Sequence, residues 1–212
     1  ALNYADEISD RARLASACNV IYLKNERLFA DCTDGFGLIR DVEENLKISL
    51  KNKKILILGA GGAARGIIPS IIEKNPAKLK IANRTESKAL SLKADLEDKV
   101  DLKKKNLIFE AGSLLDDFLL TDSYDLVINS TSVSTQIGES LGLPKALFSG
   151  TKLAYDLFYA DEKTVFMQDA LAGGAEKVSD GWGMLVEQGA ESFKLWTNLI
   201  PDTSRLLEKP ID

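Results

Sequence analysis

The chain predicts an α/β fold built on a largely parallel sheet with helices on both faces. Short apolar runs alternate with amphipathic segments along almost its whole length, the pattern of repeated βαβ units. One of those runs, in KKILILGAGGAARG (Lys53 to Gly66), enters a glycine turn that opens directly into a helical segment. A second run, KLKIA, follows that segment and ends in the polar tip Asn83-Arg84-Thr85.

The elements follow in order. Residues 4–16 read as a helix, with Ala5, Ile8, Ala12 and Ala15 on one face. Asn19 to Leu23 and Arg27 to Ala30 read as short strands meeting at the polar turn KNE. A helix is expected from about Gly37 to Leu46, its apolar face carrying Leu38, Ile39, Val42 and Leu46. Then come the strand at Ile55 to Leu58, the helix AARGIIPSIIEK, the KLKIA strand and a helix from Glu86 to about Leu96. LIFEA (Leu107 to Ala111), SYDLVINSTS, KLAYDL (Lys152 to Leu157) and EKVSDG supply the remaining strands. A long helix, Gly181 to Ile200, closes the chain before Pro201 stops it.

The glycine turn carries chemistry. Gly59, Gly61 and Ala64 fit the pattern G-x-G-x-x-G/A, with Ala60, Gly62 and Ala63 completing the turn. Gly59 permits the tight turn, Gly61 lets the backbone approach a pyrophosphate, and Ala64 lets helix and strand pack closely. The helix that follows points unpaired N–H groups and its positive end at the phosphates. A glycine turn alone also serves as an ordinary connection. Here a strand precedes it, a helix follows, and a second strand ends in a basic tip, which together mark a Rossmann-like dinucleotide site. Where an NAD site places an acid for the ribose 2′-hydroxyl, this chain has Asn83 beside Arg84, with Lys88 one turn on. An acid would repel a 2′-phosphate and an arginine accommodates one, so the cofactor expected is NADP. Arg84 and Lys88 could also be simply solvated.

Composition sets the limits. With 212 residues, 45% apolar and 28% charged, the chain suits one large domain or two small ones. Its formal net charge is −5, and it has no basic block to track a nucleic-acid backbone. Lys103 to Lys105 read as a solvated loop. No apolar run approaches the roughly 20 residues that span a bilayer. Cys18 and Cys32 make neither a zinc-ligand cluster nor a disulfide framework, so a reducing cytoplasm is expected. The chain has no histidine, which excludes His-based triads and imidazole-ligated metals; no metal is expected. Proton transfer falls to Lys, Asp, Glu, Tyr, Cys or water.

DCTDGFG, GAGGAARG, IANRT, INSTS, YDLFY and DGWGMLVEQGA occur in this order and at a spacing that resembles the shikimate dehydrogenases, from Ala1 to about Pro201. The resemblance implies two α/β domains: a substrate domain, and an NADP-binding Rossmann domain. It implies reversible reduction of 3-dehydroshikimate to shikimate with NADPH, in aromatic amino-acid biosynthesis. Residues 1–33 would be the remnant of the substrate domain and 34–180 the NADP-binding domain, with 181–212 a helix returning to the substrate side. Asp34 resembles the catalytic aspartate that holds a substrate hydroxyl. Asn19, Gln188 and Tyr159 resemble substrate-binding residues. Asn129, Thr131 and Ser132 fall at the cofactor edge of a parallel strand, and Gly181 and Met184 resemble the pair lining the nicotinamide. In isolation Asp34 reads equally as a helix cap, Asn19 as a turn residue, Tyr159 as a core-edge residue and Gln188 as a solvated helix position. The partner implied is a small molecule, with no nucleic acid and no membrane, for a monomer or homodimer.

The chain departs from the family pattern in three ways, one of them Ser16, where glycine is usual. The family's catalytic lysine and its serine-bearing carboxylate site precede the segment that ALNYADEISDRARLASACN resembles. A fragment or shortened relative is therefore expected, one that binds NADP but turns over shikimate barely, since losing a general acid–base costs roughly 10²–10⁴ in rate. Ser134 stands where the family often has glycine. Two other readings stay open: a quinate or aminoshikimate-type dehydrogenase, and a non-catalytic NADP-binding module.

Overall fold

A computed structural model describes residues 1–100, 105–115, 117–136 and 138–208. The lysine run at 103–105 falls mostly outside the described residues. Contacts divide the chain into two compact units, one made of residues 1–49, 65–73 and 182–212 and the other of 50–64 and 74–181. Residues 34–49 thus group with the N-terminal segment, whereas the sequence suggests a boundary at 33/34. The physical reason is the helix at Asp34–Arg40, which packs on the long C-terminal helix rather than on the parallel sheet.

The first unit opens with β1 (Glu7–Ile8), α1 (Asp10–Ala15), β2 (Val20–Lys24) and β3 (Arg27–Asp31). Their sheet has the order β1-β3-β2, with β1 parallel and β2 antiparallel to β3. The helix expected over residues 4–16 is therefore only its second half. The N–H groups of Asp6 and Ser9 donate to the Leu28 and Ala30 carbonyls of β3, at 2.8 and 3.0 Å, so residues 6–9 run extended along that strand. Ser9, itself extended, then caps α1 by accepting the Ala12 N–H at 3.2 Å. β2 and β3 join through Asn25 and Glu26 at φ 51° and 61°, a two-residue hairpin turn whose twist suits the strands. α2 (Asp34–Arg40) begins three residues before the expected start and continues as a π-helical turn over Asp41–Asn45. After α3 (Gly62–Glu73), which follows the glycine turn, the unit resumes at α6 (Trp182–Thr197) and α7 (Ser204–Leu207). α6 ends at Thr197, four residues before Pro201, where Asn198 in the left-handed conformation (φ 60°) stops the helix as glycine does.

The second unit is a six-stranded sheet in which every pairing is parallel. It comprises β4 (Lys54–Leu58), β5 (Lys78–Asn83), β6 (Ile108–Ser113), β7 (Leu126–Asn129), β8 (Leu153–Asp156) and β9 (Val178–Ser179). Their order, β6-β5-β4-β7-β8-β9, reverses direction between β4 and β7, the switch point of a doubly wound sheet. β7 and β8 are buried throughout, as central parallel strands must be when both faces are covered. Helices flank the sheet, α4 (Glu86–Glu97) against β5 and β6 and α5 (Val165–Ala172) against β8 and β9. α5 was not legible in the sequence; it is a short helix whose start rests on the Thr164 hydroxyl accepting the Met167 N–H at 3.2 Å. Among the described residues no helix is long and apolar enough to cross a membrane.

Candidate functional site

In the first unit, three elements bring polar side chains to one place: the start of β2, the β3–α2 junction and α6. Thr33 donates its backbone N–H to Asn19 Oδ1 at 2.8 Å, which fixes the orientation of the Asn19 amide. The Asn19 Nδ2 then donates to Asp34 Oδ1 at 2.7 Å and to Gln188 Oε1 at 3.1 Å. The Thr33 hydroxyl lies 3.2 Å from Gln188 Oε1 and 3.1 Å from Ser192 Oγ, so the floor of the cluster is tied to α6. Burial pushes the Asp34 carboxyl above the ordinary carboxylate range, and the Asn19 hydrogen bond offsets only part of that. Asp34 does not cap a helix starting at Gly37, because it is itself the first residue of α2.

A layer of charge braces this cluster from behind. The Arg11 guanidinium pairs with both oxygens of Asp31, at 2.6 and 2.9 Å, and reaches Glu191 on α6 at 3.1 Å. Burial works against the Asp31 carboxylate, but the hydrogen bonds from Arg11 and Ser9 hold it below its ordinary range. Cys32, between Asp31 and Thr33, is buried, and burial pushes its thiol up to about 11, so it is an inert filler. Sequence reasoning brought forward Asn19, Asp34 and Gln188 but missed Thr33, Ser192 and Arg11. Thr33 sits inside the D-C-T-D-G segment; Ser192, one turn beyond Gln188, was the other signal available.

In the second unit, the glycine turn lies between β4 and the start of α3. Gly59 has φ +108°, and a Cβ there would come within 2.6 Å of Ser130 Oγ, so glycine is required. Ala60 is nearly buried and Ala64 fully so, whereas Gly61, Gly62 and Ala63 are exposed. A Cβ added at Gly61 or Gly62 would meet nothing within 4 Å, which leaves the helix N-terminus open to an approaching anion. At the end of β5, Asn83 turns its amide to the Thr85 carbonyl at 2.8 Å and shapes the tip. Arg84, Thr85 and Lys88 are exposed, and neither cation forms an ion pair among the described residues.

Asn129 ends β7. Its side chain is fully buried, donating to Ser134 Oγ at 3.0 Å and Asp156 Oδ1 at 3.1 Å and accepting from the Thr131 N–H and hydroxyl. The side chain therefore holds Thr131 in place. Thr131 is half-buried and Ser132 exposed, both beyond the C-terminal end of β7. Tyr159, past the end of β8, is 47% exposed and stacks on Phe158 at 6.0 Å between ring centres. Gly181 is buried and donates its N–H to the Phe158 carbonyl at 3.0 Å. Met184, on the first turn of α6, is buried in the first unit. No group of His, Cys, Asp and Glu able to hold a metal occurs among the described residues.

A doubly wound parallel sheet whose first strand ends in this glycine turn defines the class, the Rossmann-type α/β proteins. The particular family follows from comparison with known proteins. The Shikimate / quinate 5-dehydrogenase model matches residues 41–150, and the Shikimate 5'-dehydrogenase C-terminal domain model matches residues 181–208. The chain belongs to the shikimate dehydrogenase family. A shikimate dehydrogenase (NADP(+)) of Dechloromonas aromatica is 42% identical over 207 residues, covering 98% of this chain and 72% of the relative. The shikimate 5-dehydrogenase of Thermus thermophilus, solved with NADP(H) and shikimate, is 31% identical with a TM-score of 0.81, over 98% of this chain and 72% of its own. A shikimate dehydrogenase solved with NADP+ is 30% identical with a TM-score of 0.84, over 100% of this chain and 73% of its own.

Proposed function

We propose that this chain is an NADP-dependent shikimate dehydrogenase that reversibly reduces 3-dehydroshikimate to shikimate, in aromatic amino-acid biosynthesis. The observation that carries the reading is the Asn19–Asp34–Gln188 cluster, in which the Asn19 amide joins one carboxylate to a second neutral amide. Amides read hydroxyls as donor and acceptor at once, and a carboxylate orients the hydroxyl that reacts. Asp34 is the titratable member of the cluster, and its raised proton affinity suits a group that holds a hydroxyl proton during the reaction. Tyr159 presents a phenol to the same kind of substrate. Residues 50–181 form the cofactor unit in this reading; the substrate groups other than Tyr159 stand on 1–49 and on the helix after Gly181.

The residues present fit NADP. The open backbone at Gly61 and Gly62 and the start of α3 suit a pyrophosphate, and the polar tip has no acid to repel a 2′-phosphate. Asn83, Arg84, Thr85 and Lys88 would hold that phosphate, and Thr131, Ser132, Gly181 and Met184 would line the nicotinamide. The cofactor supplies the hydride. The chain's own residues orient it and the substrate and hold the proton at Asp34. The two free cysteines are consistent with a cytoplasmic protein, which belongs to the same proposal.

A calorimetric titration with NADP and then with NAD tests the reading. Saturable binding with NADP preferred is expected, and Arg84→Ala should weaken NADP while leaving NAD nearly unchanged. A preference for NAD would overturn the cofactor assignment.

A further inference from the structure

Asp156, the last residue of β8, is a fully buried carboxylate whose four partners are all neutral donors. Asn129 Nδ2 at 3.1 Å and the Phe158 N–H at 3.2 Å donate to Oδ1, while Ser134 Oγ at 2.6 Å and Thr164 Oγ1 at 2.7 Å donate to Oδ2. Those donors come from three separate places. Asn129 and Ser134 bracket the loop after β7, Phe158 adjoins Tyr159, and Thr164 caps α5. Burying a carboxylate without a cation is costly. What it supplies is direction: hydrogen bonds to an ionised acceptor are short and strong, and one hub can fix several backbone segments at once.

We propose that Ser134 and Asp156 are positioning residues that hold the 130–135 loop in place for the nicotinamide half of the cofactor. The inference rests on the NADP reading above and says which side chains order that half of the site. The sheet topology supports the assignment of halves. β4, β5 and β6 form one mononucleotide-binding half, with the glycine turn and the Arg84 tip, and β7, β8 and β9 form the other. The loop belongs to the second half. At its near end it is fastened by Ser130 Oγ, which donates to the Leu58 carbonyl at 2.7 Å, and by Thr131 on Asn129. At its far end Ser134 is the side-chain anchor, bonded both to Asp156 and to Asn129.

The test measures affinity for NADP and for adenosine 2′,5′-bisphosphate, which carries only the adenosine half, in the unmodified chain, Ser134→Ala and Ser134→Thr. Ser134→Ala is expected to weaken NADP about tenfold, the worth of one hydrogen bond to a charged acceptor, and to leave the bisphosphate within about twofold. Ser134→Thr, which keeps the hydroxyl, should restore most of the NADP affinity. Unchanged NADP affinity in Ser134→Ala, or equal losses for both ligands, would overturn the inference while leaving the NADP reading intact. If the unmodified chain binds neither ligand, the NADP reading falls and this inference falls with it.

Discussion

At the scale of single residues, Asp34 shows how the candidate site is held against the interest of stability. Burial raises its folded proton affinity above that of the unfolded chain. A carboxyl shifted upward contributes stability that is full below its unfolded pKa, about 3.9, and is lost as pH rises through the folded value. Above that folded value the Asp34 charge therefore weighs against the fold. Asp34→Asn should leave the melting temperature at pH 7 unchanged or higher, with any gain vanishing near pH 3. Shikimate affinity should fall roughly 10- to 100-fold, the cost of a hydrogen bond to a charged group, while NADP affinity stays unchanged. A clearly lower melting temperature at pH 7 would show that the carboxylate stabilises the site. Asp34 and Asn19 were legible only through the shared register of motifs. Taken singly, each had a commonplace alternative as a cap or a turn residue, and the structure adds a 2.7 Å hydrogen bond that joins the two.

At the scale of elements, the contact of α2 with α6 sets the position of Gln188. A Cβ at Gly37 would lie 2.6 Å from the Met184 carbonyl oxygen and 2.7 Å from Gln188 Cβ. Two effects oppose each other in Gly37→Ala. Helix propensity favours alanine by about 1 kcal/mol, whereas forcing atoms into a filled contact costs about 1–3 kcal/mol. Because two of the close atoms belong to backbone, which cannot swing aside, the clash should win. We expect net destabilisation in urea unfolding together with weaker shikimate binding, since parting the helices draws Gln188 from Asn19 and Thr33. A variant more stable than the parent would mean that the helices separate freely. The sequence placed Gly37 at the start of a helix, one turn from the true start. Propensity marks Gly as a poor interior residue, and only the approach of α6 explains its place in the first turn of α2.

At the scale of the whole molecule, a charged cluster in the second unit governs its response to acid. Lys80 is fully buried in β5, 3.1 Å from Asp122 and 3.3 Å from Glu110, with its ammonium 4.0 Å from the centre of the Phe118 ring. Lys78 adds a bond to Asp122 at 2.7 Å. Burial alone would raise the Asp122 and Glu110 carboxyls, but hydrogen bonds from Lys78 and Lys80 hold both below their ordinary values. A carboxylate depressed in this way contributes stability above its unfolded pKa, about 4, and loses it as pH falls through the folded value. Asp122→Asn should cost about 3 kcal/mol at pH 7, because it strips a buried ammonium of a partner. The gap between variant and parent should narrow as pH falls through the lowered folded value, beneath which Asp122 is protonated in both the folded and the unfolded parent. Melting curves across a pH series would show this; a gap that stays constant with pH would remove Asp122 from the acid response.

The sequence by itself determined the parallel sheet, the glycine turn and the basic tip after β5, because each is local. A buried strand, a turn that needs positive φ at Gly59 and an exposed basic tip are written in consecutive residues. What only the tertiary structure decided are the features made by residues far apart in the chain. Residues 6–9 read as helix by period but run extended, because β3 offers them backbone partners. Residues 34–49 join the first unit because α2 finds α6, far later in the sequence. Asn129 reads as a cofactor residue from its place at a strand end, and the fold adds that its side chain is buried because Asp156, 27 residues on, accepts from its amide. Long-range partners of this kind leave no period and no motif, so only the folded chain reveals them.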